Sequence, residues 1–515
     1  MKRGELNLDN DLDPHHEDVF QTDDEENQAY RVFENLSDDS DSENNSPPSK
    51  NLSNEIAIST SWPQSYRTSM ELLTSVTVPG GVSFLSRNAS KGTSDSFFKG
   101  LETWQDDDSL FTKPLVSEDP SSKKQCSFAQ SVINGINILC GVGILTIPYA
   151  VKEGGWLSLI ILLVFSIICC YTGILLKRCL DNYPELETFP DIGQAAFGIA
   201  GRLCIAIILF MELYASCVEY ITLMSDNLSS LFPNANVTFG GADIGTHQVF
   251  AITAAILVLP TVWIKNLSLL SYVSVGGIFA TILVTLCLFW VGIADQVGYK
   301  PGAKVFDLAN LSVAIGIYGF GFGGHAVFPS IYSSMKEPAN FQSVLYVSFA
   351  FCLAMYTGVA AMGYLTFGDA VESQFTLNMP QELYASKIAA WTTIATPLAK
   401  YALTLLPIAM SIEELAPTPQ LRCHAMSVVV RTVLVITSLI VALSVPYFGS
   451  LMALIGSFMS MLVALIFPCL CYLKLHSGRL SKIQIINCIL IIIVGVVSGC
   501  AGTYSAMSKI INGEG

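Results

Sequence analysis

Residues 134–150, NGINILCGVGILTIPYA, have the composition of a transmembrane helix whose backbone is interrupted near the middle. Apolar residues flank Gly141 and Gly143, and Pro148 follows five residues after Gly143. Glycine weakens a helix and proline removes a backbone donor, so this combination favours local unwinding. Unwound backbone at membrane depth is tolerated only where it is buried in protein or lines a cavity. The stretch therefore predicts a cavity inside a membrane.

The same spacing recurs in the second half of the chain. Residues 316–332, GIYGFGFGGHAVFPSIY, place Pro329 five residues after Gly324. Two interrupted segments at corresponding positions of two halves are typical of the binding site of a secondary transporter. The alternative is that these glycines only allow helices to pack closely. The paired glycine-to-proline spacing favours the first interpretation.

The composition places most of the chain in a membrane. Of its 515 residues, 51% are hydrophobic and 13% are charged, and the net charge is −15. Residues 1–125 hold 24 acidic and 11 basic residues and so carry most of that charge. Low hydrophobicity with high charge predicts a disordered tail, whose apolar patch at 69–86 either docks on the membrane body or forms an unstructured island. An acidic tail argues against nucleic-acid binding.

Stretches of about 20 mostly apolar residues predict eleven transmembrane spans after this tail. We number them in chain order: 128–150, 156–176, 201–224, 248–264, 268–293, 309–332, 343–366, 386–411, 426–445, 448–473 and 483–506. The predicted organisation is a disordered cytosolic tail at 1–125, an all-α membrane domain in lipid at 126–507 and a short lumenal C-terminus at 508–515. The stretch 182–198 is expected to lie along the cytosolic surface between spans 2 and 3.

Basic residues and a glycosylation sequon set the orientation. If the tail is cytosolic, the cytosolic loops carry Lys177, Arg178, Arg202, Lys265, Lys336, Arg422, Lys474, Arg479 and Lys482. The opposite loops carry chiefly Lys152, Lys300, Lys304 and Lys387. The loop at 226–247 has neither Lys nor Arg and contains the sequon Asn236-Val237-Thr238, so Asn236 is a candidate glycosylation site. Both signals place the N-terminus in the cytosol.

The two interruptions also indicate the chemistry of a substrate. The helix that resumes after Gly143 presents N–H groups and a positive dipole end, which suit a carboxylate. Carbonyls freed around Phe320, Gly321 and Phe322 are expected to accept from an ammonium group. This pairing fits a zwitterion, so an α-amino acid is a better match than a sugar or a bare cation. Tyr214, midway along span 3, either donates to the substrate carboxylate or only packs.

Four ionisable residues lie inside predicted spans, where such groups are costly and are therefore functional candidates. Glu212 and Glu219 are seven residues apart and so lie near one face of span 3. Glu219 is nearer the lumenal end of the span, so the alternative to a functional role is that water solvates its carboxylate. Lys400, halfway along span 8, either exchanges the coupled proton or is a permanently charged structural group. His325, in the second interruption, either titrates or is simply packed.

Short signals in the tail indicate cytosolic partners. Tyr30 to Phe33 has the form of an adaptor-binding sorting signal, and Ser40 and Ser46 suit acidophilic and proline-directed kinases, although such patterns also arise by chance. The sequence has no nucleotide-binding loop, no CxxC pair and no catalytic constellation. We therefore predict neither an enzyme nor a metal or cofactor site.

Five stretches resemble one known family. They are NGINILCGVGILTIPYAVKEGGW at 134–156, FPDIGQAAFG at 189–198, GFGFGGHAVFPSIYSSMKEP at 319–338, GYLTFGD at 363–369 and TPLAKYALTLLPI at 396–408. The family is that of the amino acid/auxin permeases, and the resemblance is strongest to its plant and fungal vacuolar amino-acid transporter branch, which is related to the vesicular inhibitory amino-acid transporters.

The resemblance implies a LeuT/APC-like fold of two inverted five-helix repeats plus one extra span, with spans 1 and 6 broken. It implies transport of neutral amino acids, driven by a proton gradient, across an acidified vacuolar or vesicular membrane. Two segments would bind the substrate. One runs from Asn137 to Gly143 in span 1 and includes Ile138, Gly141 and Val142, and the other runs from Tyr318 to Gly324 in span 6. Two alternatives keep the fold: an amino-acid sensor that signals through its tail, and a plasma-membrane amino-acid or auxin permease.

Overall fold

A computed structural model describes residues 62–63, 66, 69–70, 126–239, 242–263, 267–294, 297, 300, 304–415 and 424–513. Within this part of the chain, nine helices are long and apolar enough to cross a membrane unaided. They are Ser158–Asn182, Phe189–Leu231, Thr246–Trp263, Leu267–Ile293, Phe341–Phe367, Tyr384–Glu414, His424–Ser444, Phe448–Leu475 and Lys482–Asn512. The bent pair Phe128–Leu139 and Val142–Gly154 gives a tenth span, and the shorter apolar helix Leu311–Gly321 lies where the sequence predicted span 6.

Span 1 is broken where the sequence predicted it. An α-helix runs over Phe128–Leu139, a 3₁₀ turn over Val142–Thr146 and a second α-helix over Ile147–Gly154. The two halves are bent by 46°. Gly141 has extended backbone, with φ −82° and ψ −150°, and Pro148 stands in the first turn of the second half, where its missing N–H costs nothing. The local chemistry of glycine and proline therefore accounts for the break.

Span 6 is broken in the same manner. Its first half is Leu311–Gly321 and its second half is Phe328–Ser334, with Pro329 in the first turn. Residues 322–327 between them are not α-helical. The interruptions thus fall in spans 1 and 6, five spans apart, as the expected five-plus-five repeat requires.

Some glycines of span 6 do serve close packing, as the alternative interpretation held. A Cβ on Gly316 would collide with the carbonyl oxygen of Ala453 in span 10, and a Cβ on Gly456 would collide with the carbonyl oxygen of Gly316. The first half of span 6 therefore lies backbone to backbone against span 10. Both interpretations of the glycines hold, at different positions of one helix.

Span 3 is continuous with the helix that precedes it, in the stretch expected to lie along the cytosolic surface. The helix begins after Thr188, which forms a capping box with Asp191. Gly198 then interrupts the helical backbone with φ 67°, a value that glycine adopts without the strain of a side chain. An ion pair of 3.3 Å between Arg202 and Asp191 spans this kink. Residues 189–197 are thereby set apart from the spanning part of the helix.

Two spans extend beyond their apolar stretches. Span 3 continues to Leu231, because Asn227 finds partners there: its Nδ2 donates to Gln374 Oε1 at 2.6 Å and its Oδ1 accepts from Thr376 Oγ1 at 3.0 Å. Span 11 continues to Asn512, so most of the stretch predicted as a short tail at 508–515 is helical. Hydropathy alone ended both spans too early, since it takes no account of polar partners.

An ion pair and a short β-hairpin complete the description of the membrane domain. In span 11, Lys509 forms an ion pair of 2.5 Å with Glu153 at the end of span 1. Among the described residues, the loop between spans 3 and 4 departs from helix with a short antiparallel hairpin, in which β1 (Val237–Phe239) pairs with β2 (Ala242–Ile244). The all-α prediction holds apart from this hairpin.

Part of the N-terminal tail lies against the membrane body. The structure describes five residues of the predicted disordered tail: Trp62, Pro63, Tyr66, Ser69 and Met70. Tyr66 and Met70 are buried. Met70 belongs to the apolar patch at 69–86, so its burial agrees with the docking alternative, whereas Tyr66 lies before that patch, where only disorder was predicted. The predicted sorting signal and kinase sites, and most of the patch at 69–86, lie outside the described residues.

Candidate functional site

A cavity of about 170 Å³ lies between the two broken helices. Because about 10–15 Å³ of such volume holds one water molecule, this space admits a small solute. Ten residues predicted from the sequence line it: Asn137, Ile138, Gly141, Val142, Gly143, Glu212, Glu219, Phe320, Gly321 and Lys400. The structure therefore brings together residues from spans 1, 3, 6 and 8 around one cavity.

The two interruptions are in direct contact. A Cβ built on Gly143 would lie 3.3 Å from Phe320 Cδ1 and 3.5 Å from Gly321 Cα. Among the described residues, no backbone hydrogen bond is made by the N–H groups of Gly141, Val142 or Gly143. The first break thus retains unused donors beside the cavity, although they belong to residues 141–143 and not to the residues after Gly143 that the sequence predicted, the first of which, Ile144, donates to the Gly141 carbonyl.

The acceptor side differs from the prediction. The Phe320 carbonyl accepts from the Gly323 N–H at 3.0 Å, and the Phe322 carbonyl accepts from the Gly324 N–H at 3.1 Å. The Gly321 carbonyl lies 3.0 Å from the hydroxyl of Tyr356. These carbonyls are therefore already hydrogen-bonded, because the unwound turn folds back on itself, and each has only its second lone pair left for an ammonium group.

Tyr356 of span 7 is a site residue that sequence reasoning missed. Its side chain is fully buried and lines the cavity. Its hydroxyl is within hydrogen-bond distance of the Leu139 carbonyl at the first break and the Gly321 carbonyl at the second. A hydroxyl has one proton, so it donates to one of these carbonyls at a time or shares the proton between them. The available signal was a tyrosine in mid-span, whose hydroxyl must find a partner once buried.

The two glutamates of span 3 both face the cavity but differ in their surroundings. Glu219 is fully buried, and neither of its carboxyl oxygens has a hydrogen-bond partner among the described residues. The alternative in which Glu219 is solvated does not agree with this burial. Glu212 is partly exposed, and its Oε1 accepts from Ser460 Oγ of span 10 at 2.9 Å.

Lys400 lies beside the first break. A Cβ built on Gly277 in span 5 would lie 2.9 Å from Lys400 Cε and 3.0 Å from Asn137 Oδ1. The lysine and the asparagine therefore meet at Gly277, between spans 1, 5 and 8. In the part of the chain that the structure describes, no carboxylate forms an ion pair with the Lys400 ammonium.

His325 lies in the second break but faces away from the cavity. The side chain is fully buried, with Nε2 2.9 Å from Thr172 Oγ1 and 3.0 Å from the Cys169 carbonyl, both in span 2. Its ring also packs on Phe328, with centroids 4.8 Å apart. This geometry favours the packed interpretation over a titrating one.

Three further predicted residues lie outside the cavity lining. Phe322 stacks on Phe349, with ring centroids 5.9 Å apart. Tyr214 lines a separate apolar pocket with Phe210, among other residues. Asn236 is exposed in the loop before β1, a position that an attached glycan requires.

Comparison with known proteins gives the family. Residues 124–508 match the model of the family described as transmembrane amino acid transporter protein. The chain is 54% identical to amino acid transporter AVT1D of Arabidopsis thaliana, with 88% of this chain and 87% of that protein covered. It is 50% identical to amino acid transporter AVT1E of the same plant, with 95% and 98% covered.

A more distant relative is the vesicular GABA transporter of Caenorhabditis elegans, at 25% identity over 75% of this chain and 80% of that protein. The resemblance recognised in the sequence is thereby confirmed, including the link to vesicular transporters. The chain belongs to the transmembrane amino acid transporter family, a family without enzymes, and its membership supports amino-acid transport as its activity.

Proposed function

We propose that the protein is a proton-coupled secondary transporter of mainly neutral amino acids, which works by alternating access in a vacuolar or vesicular membrane. The observation that carries this proposal is the cavity between the broken helices, which contains a buried carboxyl group without a hydrogen-bond partner among the described residues. Such a group is stable when it carries a proton or meets a ligand, and costly otherwise.

The lining of the cavity supports a zwitterionic substrate with an apolar side chain. Unused N–H groups at the first break suit a carboxylate, and the second lone pairs of the carbonyls near Tyr356 suit an ammonium group. Apolar side chains make up much of the remaining wall: Ile138, Leu209, Leu213, Ala326, Val327 and Leu403. A neutral amino acid meets both requirements at once.

Two residues are candidates for the coupled proton. Glu219 has the burial and the lack of a partner that a reversible proton site requires. Lys400 lies beside Asn137 at the first break, where a change in its charge would alter the electrostatic attraction of the substrate carboxylate. We assign the proton to Glu219 and an electrostatic role at the substrate site to Lys400.

Uptake of radiolabelled amino acids into proteoliposomes under an imposed pH gradient tests this function. We expect concentrative uptake of neutral amino acids that collapses when a protonophore dissipates the gradient. Flux that is indifferent to the gradient would contradict proton coupling. The direction of the gradient that drives uptake separates antiport from symport, and imaging a tagged chain tests the vacuolar location.

The sensor alternative is favoured by one observation. Tyr66 and Met70, from the N-terminal tail, line the same cavity as the candidate substrate groups. A tail in contact with the site is a route by which occupancy reaches cytosolic partners. The uptake assay separates the two functions, because a sensor would bind amino acids with negligible flux.

A further inference from the structure

The N-terminal segment 62–70 presents three apolar side chains at regular spacing. Trp62, Tyr66 and Met70 are four residues apart, and Tyr66 and Met70 are in helical conformation. Side chains at this spacing share one face of a helix. Tyr66 has 1% of its surface exposed and Met70 has none. Tyr66 and Met70 are therefore buried side by side, and Trp62, which is not helical, is partly buried, although the neighbouring sequence is polar.

The segment docks between spans 3 and 8. The rings of Trp62 and Tyr66 both meet Phe210 of span 3 edge to face, with centroids 5.8 and 5.7 Å apart. The indole Nε1 of Trp62 donates to the carbonyl of Ser411 in span 8 at 3.1 Å. Phe210 and Ser411 lie toward the ends of spans 3 and 8 that the charge pattern predicts to be cytosolic. The docking surface is thus at the predicted cytosolic end of the cavity.

Tyr66 and Met70 form part of the wall of the central cavity, beside Glu212. They stand where a solute that moves between the cavity and the cytosol would pass. Both side chains belong to the hydrophobic cluster of the membrane body, and the buried Tyr66 hydroxyl has no hydrogen-bond partner among the described residues. The Trp62 indole supplies the one side-chain hydrogen bond from these three residues to the membrane body in the described part of the chain.

We propose that Trp62, Tyr66 and Met70 act as a plug, which docks in the cytosolic mouth of the cavity and blocks exchange of solute with the cytosol until it is released. The proposal rests on the proposed function, in that the cavity is taken as the transport path. The occupant of this surface is thus the chain's own tail, and the tail's state of attachment sets the activity of the membrane domain.

Accessibility of the cavity tests the plug without relying on transport. In the full-length chain, Ser216, which lines the cavity, is replaced by cysteine and labelled with a membrane-impermeant maleimide, and the parent chain without this cysteine gives the background. Tyr66→Ala should raise the labelling rate at least about tenfold, since loss of a buried aromatic ring weakens docking by more than the 1.4 kcal/mol that corresponds to this factor. Tyr66→Phe is the matched control and should label as slowly as the unsubstituted segment, because the hydroxyl has no partner.

A peptide of residues 60–72 added to the Tyr66→Ala chain should slow labelling again, and a scrambled peptide should not. Equal labelling rates for Tyr66→Ala and Tyr66→Phe would overturn the plug. So would a peptide without effect. If the plug is correct and the chain transports, Tyr66→Ala also raises the initial uptake rate from the cytosolic side. If neither variant transports, the proposed function fails, whereas the labelling rates still decide the plug.

Discussion

Replacing Tyr356 by phenylalanine tests whether one hydroxyl holds the two breaks together. The substitution keeps the ring, which packs edge to face on Phe322 with centroids 5.3 Å apart, and removes the atom that lies between the Leu139 and Gly321 carbonyls. Since the hydroxyl has one proton, the loss amounts to one hydrogen bond to a buried acceptor. Such a loss costs about 1–3 kcal/mol, which corresponds to a factor of about 5 to 150.

This loss should appear in substrate affinity, because the two breaks together form the site. If the binding-competent arrangement is a minor population that the substitution lowers further, the apparent Kd rises by the same factor. We therefore expect Tyr356→Phe to weaken amino-acid binding at least about fivefold, measured by equilibrium binding of a radiolabelled neutral amino acid to the purified protein.

Tyr364, in the same span, supplies the matched control. It is equally buried, and its hydroxyl donates to Asp369 Oδ1 at 2.9 Å, outside the cavity. Tyr364→Phe should change the affinity less than about twofold. Its free energy of unfolding should nevertheless fall by about 1–3 kcal/mol, as in Tyr356→Phe. Wild-type affinity in Tyr356→Phe, or equal losses in the two variants, would refute the role of the hydroxyl at the breaks.

Four further substitutions test the site and the topology. Gly143→Val should abolish uptake while the protein still reaches the membrane, because a Cβ there already lies 3.3 Å from Phe320 and overpacking costs about 1–3 kcal/mol. Glu219→Gln should remove the dependence of uptake on the pH gradient and leave exchange of substrate intact, as measured in proteoliposomes with and without a gradient. Lys400→Met should weaken substrate binding, measured by the same equilibrium assay. Asn236→Gln should remove an electrophoretic mobility shift that treatment of the unsubstituted protein with a glycosidase also removes.

Three of these substitutions have a control in the same chain. The control for Gly143→Val is Gly276→Val, because a Cβ on Gly276 has open space around it. Glu212→Gln tests whether any cavity carboxyl would do, and retained coupling there together with lost coupling in Glu219→Gln would support our assignment. Lys387→Met removes an exposed lysine of the same span. Full gradient dependence in Glu219→Gln would move the proton elsewhere, and normal binding in Lys400→Met would leave Lys400 a structural role.

The breaks were predictable because their cause is local. Glycine permits extended backbone and proline removes a donor at any position, so the effects of Gly141, Pro148 and Pro329 do not depend on the residues packed around them. The candidacy of Glu219 was predictable for a similar reason, since a carboxyl group in an apolar span is costly in any surroundings. The family could likewise be recognised from contiguous motifs.

The orientation of side chains was less predictable, and one error was avoidable. Depth in the membrane alone favours Tyr214 as a site residue, but it is two residues from Glu212 and so about 200° around the helix from it. Glu212 and Ser216, four apart, share the cavity face, whereas Tyr214 points to another pocket. The role of Tyr356 could not be read in advance, because it depends on which carbonyls of two other helices meet one hydroxyl. The partners of His325 in span 2 were hidden for the same reason.

The contact between Gly316 and Gly456 limits how this sequence can drift. At most packed positions, a larger side chain on one helix is offset by a smaller one on its neighbour. Here a smaller side chain gives no relief, because a Cβ on either glycine meets backbone: the carbonyl of Ala453 in the case of Gly316, and the carbonyl of Gly316 in the case of Gly456. No second-site replacement at the partner position can therefore rescue a change at either glycine. Suppressors of such a change should arise instead from backbone shifts elsewhere in spans 6 and 10.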